Sequence, residues 1–204
     1  MAAAYPVLLA LGSVAAENWL ATLPGWADRT IKGVFFTGVA VWSCLVCAVI
    51  LPLAASGPLR AFALQQNGDL REEIGWGEMV RTVAAVRDSL PPEEQGSAGV
   101  LVGNYGEQGA IELLGAPYHL PAPISMTNSA WLRGYPAQPP STLIVLGFSK
   151  QDADKAFSNC RLAGHNGNSE KVPNEESEAH PDIFVCGGPR LGWAAFWKAY
   201  QAFG

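Results

Sequence analysis

A chain of 204 residues has room for one domain, or for one small domain joined to membrane segments. Its 13 Lys and Arg stand against 18 Asp and Glu, and a net charge of −5 argues against a nucleic-acid surface, which needs a basic patch. The charges are unevenly placed: residues 1–55 carry only Glu17, Asp28, Arg29 and Lys32, so an apolar N-terminal part precedes a polar remainder.

The stretch from Ala2 to Ala16 is apolar and meets Glu17-Asn-Trp19 at once. It lacks the positive n-region of a signal peptide, so residues 2–20 are expected to form the end of a spanning helix whose beginning is missing. Gly33 to Ala55 then runs for 23 residues without a charge. At ~1.5 Å per residue, a helix of that length crosses the ~30 Å hydrocarbon core, so a full transmembrane span is expected over 33–55. Trp26 and Phe62 suit the two interfaces. Cys44 and Cys47 share one face of this span, where small polarizable residues pack between helices more readily than they hold a metal. Arg29 and Lys32 before the span lean the 17–32 loop to the cytoplasmic side and the acidic remainder to the outside.

Residues 56–70, with Gly57, Pro58 and Gly68, read as a connector, and residues 71–204 as a soluble domain. Met79, Val83, Val86 and Leu90 give the stripe of an amphipathic helix, stopped by Pro91-Pro92. Val100–Val102 is a short apolar run expected to be a buried strand. Gly103, Gly106 and Gly109 mark a tight turn, and Ile111, Leu113 and Leu114 a short helix ended by Gly115. Strand, glycine-rich turn and helix form the front half of a βαβ unit, where α/β proteins commonly place ligands.

Six prolines between Pro117 and Pro140 predict a long loop, with Ser125–Trp131 in its middle. Such a loop is either a binding surface or a wrapping connector with Trp131 buried. Thr142–Leu146 is a strand, and Ser149 caps a helix running to about Asn159. Arg161–His180 reads as an exposed polar loop and Ile183–Cys186 as another strand. Trp193, Phe196, Trp197, Tyr200 and Phe203 form an aromatic stripe of the core or membrane-interface kind. The alternation of helices and strands predicts an α/β domain with a small, mostly parallel sheet.

Catalytic signatures are missing. His119, His165 and His180 lack metal-ligand spacing, the glycine-rich turn lacks the lysine of a P-loop and departs from GxGxxG, and no GxSxG elbow occurs. The chain therefore offers no catalytic residue, metal ligand or cofactor motif. What it offers is Asn104, Tyr105 and Glu107 at the strand's carboxyl end, with Asn128 and Trp131 in the long loop. Hydrogen-bonding side chains beside an aromatic platform suit carbohydrate. Glu107 is either a first-turn acid favoured by the helix dipole or a contact to a sugar hydroxyl. Cys160 and Cys186 bridge in an oxidising compartment and stay free in a reducing one.

Several stretches resemble the C-terminal part of bacterial membrane glycosyltransferases of the dolichyl-phosphate-mannose–protein mannosyltransferase-like group. They are Ala4-Tyr-Pro-Val-Leu-Leu-Ala-Leu-Gly12, Asp69-Leu-Arg-Glu-Glu-Ile-Gly-Trp76, Asn104-Tyr-Gly-Glu-Gln-Gly-Ala110, Leu120-Pro with Ser125, Asn128 and Trp131, Pro173-Asn-Glu-Glu176 and Ile183–Arg190. The resemblance implies a polytopic enzyme of the bacterial plasma membrane that moves a sugar from a polyprenyl-phosphate carrier to an extracytoplasmic acceptor. It implies a catalytic acid in an early extracytoplasmic loop, often with a divalent metal, and nothing in this chain matches that loop. The expectation is a membrane-embedded and extracytoplasmic portion without the catalytic part, in contact with membrane lipid and with carbohydrate or a polyprenyl-phosphate sugar. The rival expectation is a stand-alone, membrane-tethered binding or assembly module that meets other membrane-protein segments.

Overall fold

The structure, a computed structural model, describes residues 5–203. The chain separates into two compact units, divided between Asn67 and Gly68. The first unit holds α1 (Tyr5–Leu20), α2 (Gly25–Ile50) and α3 (Pro58–Gln66). Residues 2–4 of the expected partial helix lie outside the described residues.

Among the described residues α2 is the one helix long and apolar enough to cross a membrane. Its 26 residues correspond to about 39 Å. Its bounds correct the expected span of 33–55. The helix starts earlier because charged residues do not end a helix: it begins after the N-cap Pro24, and Asp28 and Lys32 pair one turn apart at 3.0 Å, with Lys32 also reaching Glu17 of α1 at 2.9 Å. It stops earlier because Pro52 forces Leu51 out of the helical region, to φ −92° and ψ 142°. The expected connector is also largely helical. Pro58 takes the first position of α3, where its missing N–H costs nothing, and good helix formers follow it.

The second unit opens with α4 (Gly68–Glu72), α5 (Trp76–Asp88) and α6 (Pro92–Gln95), then β1 (Gly99–Val102) and α7 (Tyr105–Leu114). The proline-rich stretch supplies β2 (Ile124–Ser125) and a 3₁₀ turn over Asn128–Arg133. There follow β3 (Thr142–Val145), α8 (Lys150–Ala156), β4 (Arg161–His165), α9 (Glu175–Glu178), β5 (Asp182–Gly187) and α10 (Trp193–Ala199).

The strands form one sheet in the order β2-β1-β3-β5-β4. Alternate side chains point to opposite faces and fill two separate cores. Val100, Val102, Ile144, Ile183 and Val185 join Val80, Val83 and Val86 of α5 and Ile111 of α7. Leu101, Leu143, Val145, Phe184 and Cys186 join Ala153 and Ala156 of α8, Phe157, and Phe196 and Trp197 of α10. The C-terminal aromatic stripe is thus core packing as far as Tyr200, whereas Phe203 stays exposed.

The sheet is mixed, which corrects the expectation of a mostly parallel one. β1 pairs in parallel with β2 and β3, but β5 pairs antiparallel with both β3 and β4. Four strands run one way and β5 runs against them. The cause is β4, which falls in the stretch expected to be a loop. Arg161-Leu-Ala-Gly-His165 is an edge strand with little apolar content, and Leu162 is 58 % exposed. Gly164 lets α5 lie close on it: a Cβ there would stand 2.9 Å from Val86 Cγ2. The chain passes from β3 through α8 to this edge, then returns so that β5 fills the gap antiparallel.

Candidate functional site

β1 and β3 are parallel neighbours that leave the sheet side by side at Gly103 and Gly147. From β1 the chain goes through α7, on one face, to β2; from β3 it goes through α8, on the other face, to the far edge. This divergence is a topological switch point, where the carboxyl ends of the strands open a crevice. The backbones are very close there. A Cβ on Gly103 would meet Gly147 O at 2.6 Å, and one on Gly147, at φ +71°, would meet Glu107 Oε2 at 2.7 Å. Glycine at both places is what admits the Glu107 carboxylate.

Glu107 is fully buried. Its Oε2 accepts from the Gly103 N–H at 2.8 Å and from the Asn104 N–H at 3.4 Å, and Asn104 Oδ1 accepts from the Glu107 N–H at 2.8 Å. That reciprocal arrangement is a capping box for α7. Oε1 finds no hydrogen-bond partner among the described residues. Burial pushes the Glu107 carboxyl up to about 7, against the pull of the Gly103 N–H, and the Glu176 carboxylate adds to the rise. Glu107 is therefore at once a helix cap and a proton-binding group near neutrality.

Asn104 extends the arrangement. Its Nδ2 donates to Glu176 Oε1 at 3.2 Å. Glu176 sits in the first turn of α9, 8 % exposed, and burial raises its pKa too, with Glu175 and Glu72 adding to the rise. Asn174 caps α9 by accepting from the Ser177 N–H at 3.0 Å and ties it to the preceding helices by donating to Ile74 O at 2.7 Å. Trp76 lies over the start of α7, where a Cβ on Gly106 would meet its ring at 2.7 Å.

Trp76, Asn174 and Glu176 line a pocket together with Ile74, Gly75, Met79 and Asn166, among others. It lies past the end of β4, on the α5 face of the same carboxyl edge. Its polar lining is unequally satisfied. Asn168 exchanges two hydrogen bonds with Val172, at 2.7 and 2.9 Å. Asn166 Oδ1 and Nδ2 and Glu176 Oε2 are buried and find no partner among the described residues. Leaving such atoms unmet costs about 1–3 kcal/mol each, so a protein keeps them for a reason or fills the space with water.

Of the five residues singled out in the sequence, Asn104 and Glu107 come together here, joined by Glu176. Tyr105 stands next to them but is 68 % exposed. Asn128 adopts a left-handed φ of 52° and its backbone N–H donates to Ala202 O at 2.8 Å. Trp131 belongs to the opposite core: its Nε1–H donates to Trp197 O at 2.8 Å, and Trp197 Nε1–H returns a bond to Trp131 O at 3.2 Å. Those contacts make Trp131 a clamp between the 3₁₀ turn and α10. Trp76 and Glu176 are legible in the sequence only as part of the resembling stretches, and Asn166 carries no signal at all. The Cys160 and Cys186 sulfurs stand 2.10 Å apart, bonded as a disulfide. Among the described residues no group of three or more His, Cys, Asp or Glu is placed to hold a metal ion.

Comparisons with family models, with curated proteins and with solved structures give no match. The site is therefore read from its own chemistry.

Proposed function

We propose that this chain is a membrane-anchored, extracytoplasmic saccharide-handling portion of a glycosyltransferase that moves a sugar from a polyprenyl-phosphate carrier to an acceptor. The transfer chemistry is carried by a segment other than these residues. One observation carries the proposal: three stretches that resemble such enzymes, far apart in sequence, meet at the carboxyl edge of the sheet. Trp76 packs on Gly106, Asn104 bonds Glu176, and Asn174 bonds Ile74.

Further features support it. The helix α2 is long and apolar enough to serve as a membrane anchor. The Cys160–Cys186 disulfide suits an oxidising, extracytoplasmic compartment. Carboxylates and amides around an indole ring suit hydroxyl groups, and the carboxylates disfavour the phosphate of the carrier. The purified chain in detergent should bind neutral monosaccharides, detected by ligand-observed NMR, and should transfer none from a polyprenyl-phosphate sugar. Measurable transfer by this chain would overturn the assignment of catalysis to another segment, and absence of saccharide binding would overturn the saccharide role.

A second function class is favoured by one feature of the first unit. Every described residue of α2 is at least partly exposed, with Cys44 and Cys47 free, so its surface is open to lipid or to helices of another membrane protein. In that case the chain is an assembly module, and a defined membrane partner co-purifies with it in place of sugar binding.

A further inference from the structure

We infer that the pocket between α5, α9 and the end of β4 is the receptor for a single hydroxyl group of a neutral sugar, held by Asn166 and Glu176 with Trp76 as its apolar wall. This rests on the saccharide-handling role proposed above and names the atoms that perform it.

Asn166 is 3 % exposed and lines the pocket, yet neither atom of its amide has a partner among the described residues; Glu176 Oε2 is in the same state. Most buried side-chain polar atoms are paired, so three unpaired ones on two residues that line one pocket mark a place able to receive a hydrogen-bonding group. Asn168 and Asn174, which also line the pocket, are already engaged with backbone groups.

Size limits what the guest places inside. The pocket opens to the surface, and its free space is about 10 Å³, room for one water-sized group. A sugar ring or a phosphate does not enter; one hydroxyl does, with the rest of the ring outside against Trp76.

Charge and hydrogen-bond inventory narrow the chemistry further. Asn166 presents one acceptor and one donor group, and Glu176 presents an acceptor. A hydroxyl donates to an oxygen and accepts from Asn166 Nδ2. An anion would satisfy Nδ2 alone and face Glu176 with Glu107, Glu175 and Glu72 behind it. An ammonium group would satisfy the oxygens but meet the Asn166 donor head-on. In the unliganded protein a water has the right size and inventory, and the ligand hydroxyl replaces it.

The test uses the full chain in detergent, with mannose, glucose and galactose, their monodeoxy analogues, and inorganic phosphate as probes. Ligand-observed NMR should show saturable binding of at least one sugar, a loss of at least tenfold for one particular deoxy position, and no competition by phosphate. Asn166→Leu and Glu176→Gln should each weaken binding at least tenfold with the fold retained by circular dichroism. If wild type binds sugar and both folded variants bind it equally, the site lies elsewhere and this inference fails while saccharide handling stands. If no sugar binds and Asn166→Leu merely lowers the melting temperature, the pocket is a structural water site, and both fail.

Discussion

Asn104 and Glu176, 72 residues apart, are joined by a 3.2 Å hydrogen bond that couples the exit of β1 to the first turn of α9. The same Asn104 side chain caps α7 through its Oδ1. Asn104→Ala therefore removes a cap and leaves the Glu176 carboxylate without its donor, and is expected to lower stability by about 2 kcal/mol. Asn104→Ser keeps a capping oxygen but is too short to reach Glu176. Chemical denaturation should place Ser between wild type and Ala; equal stability of all three would show that neither bond matters.

Stability should fall as pH rises through the window set by Glu107. In the unfolded chain this carboxyl titrates near 4.5, and in the folded chain near 7. Between these values the folded state holds the extra proton, so raising the pH favours unfolding, and the loss levels off above about 7. Each tenfold difference in proton affinity between the two states is worth ~1.4 kcal/mol, so the decline is about 3 kcal/mol, with Glu176 acting in the same direction. Denaturation midpoints at pH 5 and pH 8 should differ accordingly for wild type and converge for Glu107→Gln, which carries no titrating group. A decline that survives in the Gln variant would assign it to other residues.

Reducing Cys160–Cys186 should destabilise the second unit. The bond spans 26 residues and is worth about 3 kcal/mol by loop-closure entropy. Alkylation of the unfolded chain should label two thiols, Cys44 and Cys47, without reductant and four with it. Four labelled thiols in both conditions would mean that the bridge does not form in the purified protein.

Trp131 provides a contrast with the pocket residues. Trp131→Phe removes the indole donor to Trp197 O while keeping an aromatic ring, and should cost about 1 kcal/mol of stability. It should leave saccharide affinity unchanged. A loss of affinity with unchanged stability would move the binding surface to the long loop.

These contrasts show what the chain's local pattern reveals. The run Val100–Val102 and the Asn104-x-x-Glu107 spacing identify β1 and the start of α7, because a buried strand and a capping box are written in neighbouring residues. The burial of Glu107 beneath Gly147 is not, since those residues lie 40 positions apart and meet only when β1 and β3 pair. β4 hides because an edge strand whose close neighbour is a helix needs Gly164 more than apolar alternation. Trp131 reads as a platform until Trp197, 66 residues on, takes its N–H. Asn166 is one polar residue in a polar run, and only the folded arrangement buries it beside the pocket.

The most direct test of the central claim is a titration of the full chain with a neutral monosaccharide, repeated on the Asn166→Leu variant, by ligand-observed NMR. Saturable binding to wild type and its loss in a folded variant is the predicted result. Saturable binding of equal strength to both, or binding of inorganic phosphate in place of the sugar, would contradict it.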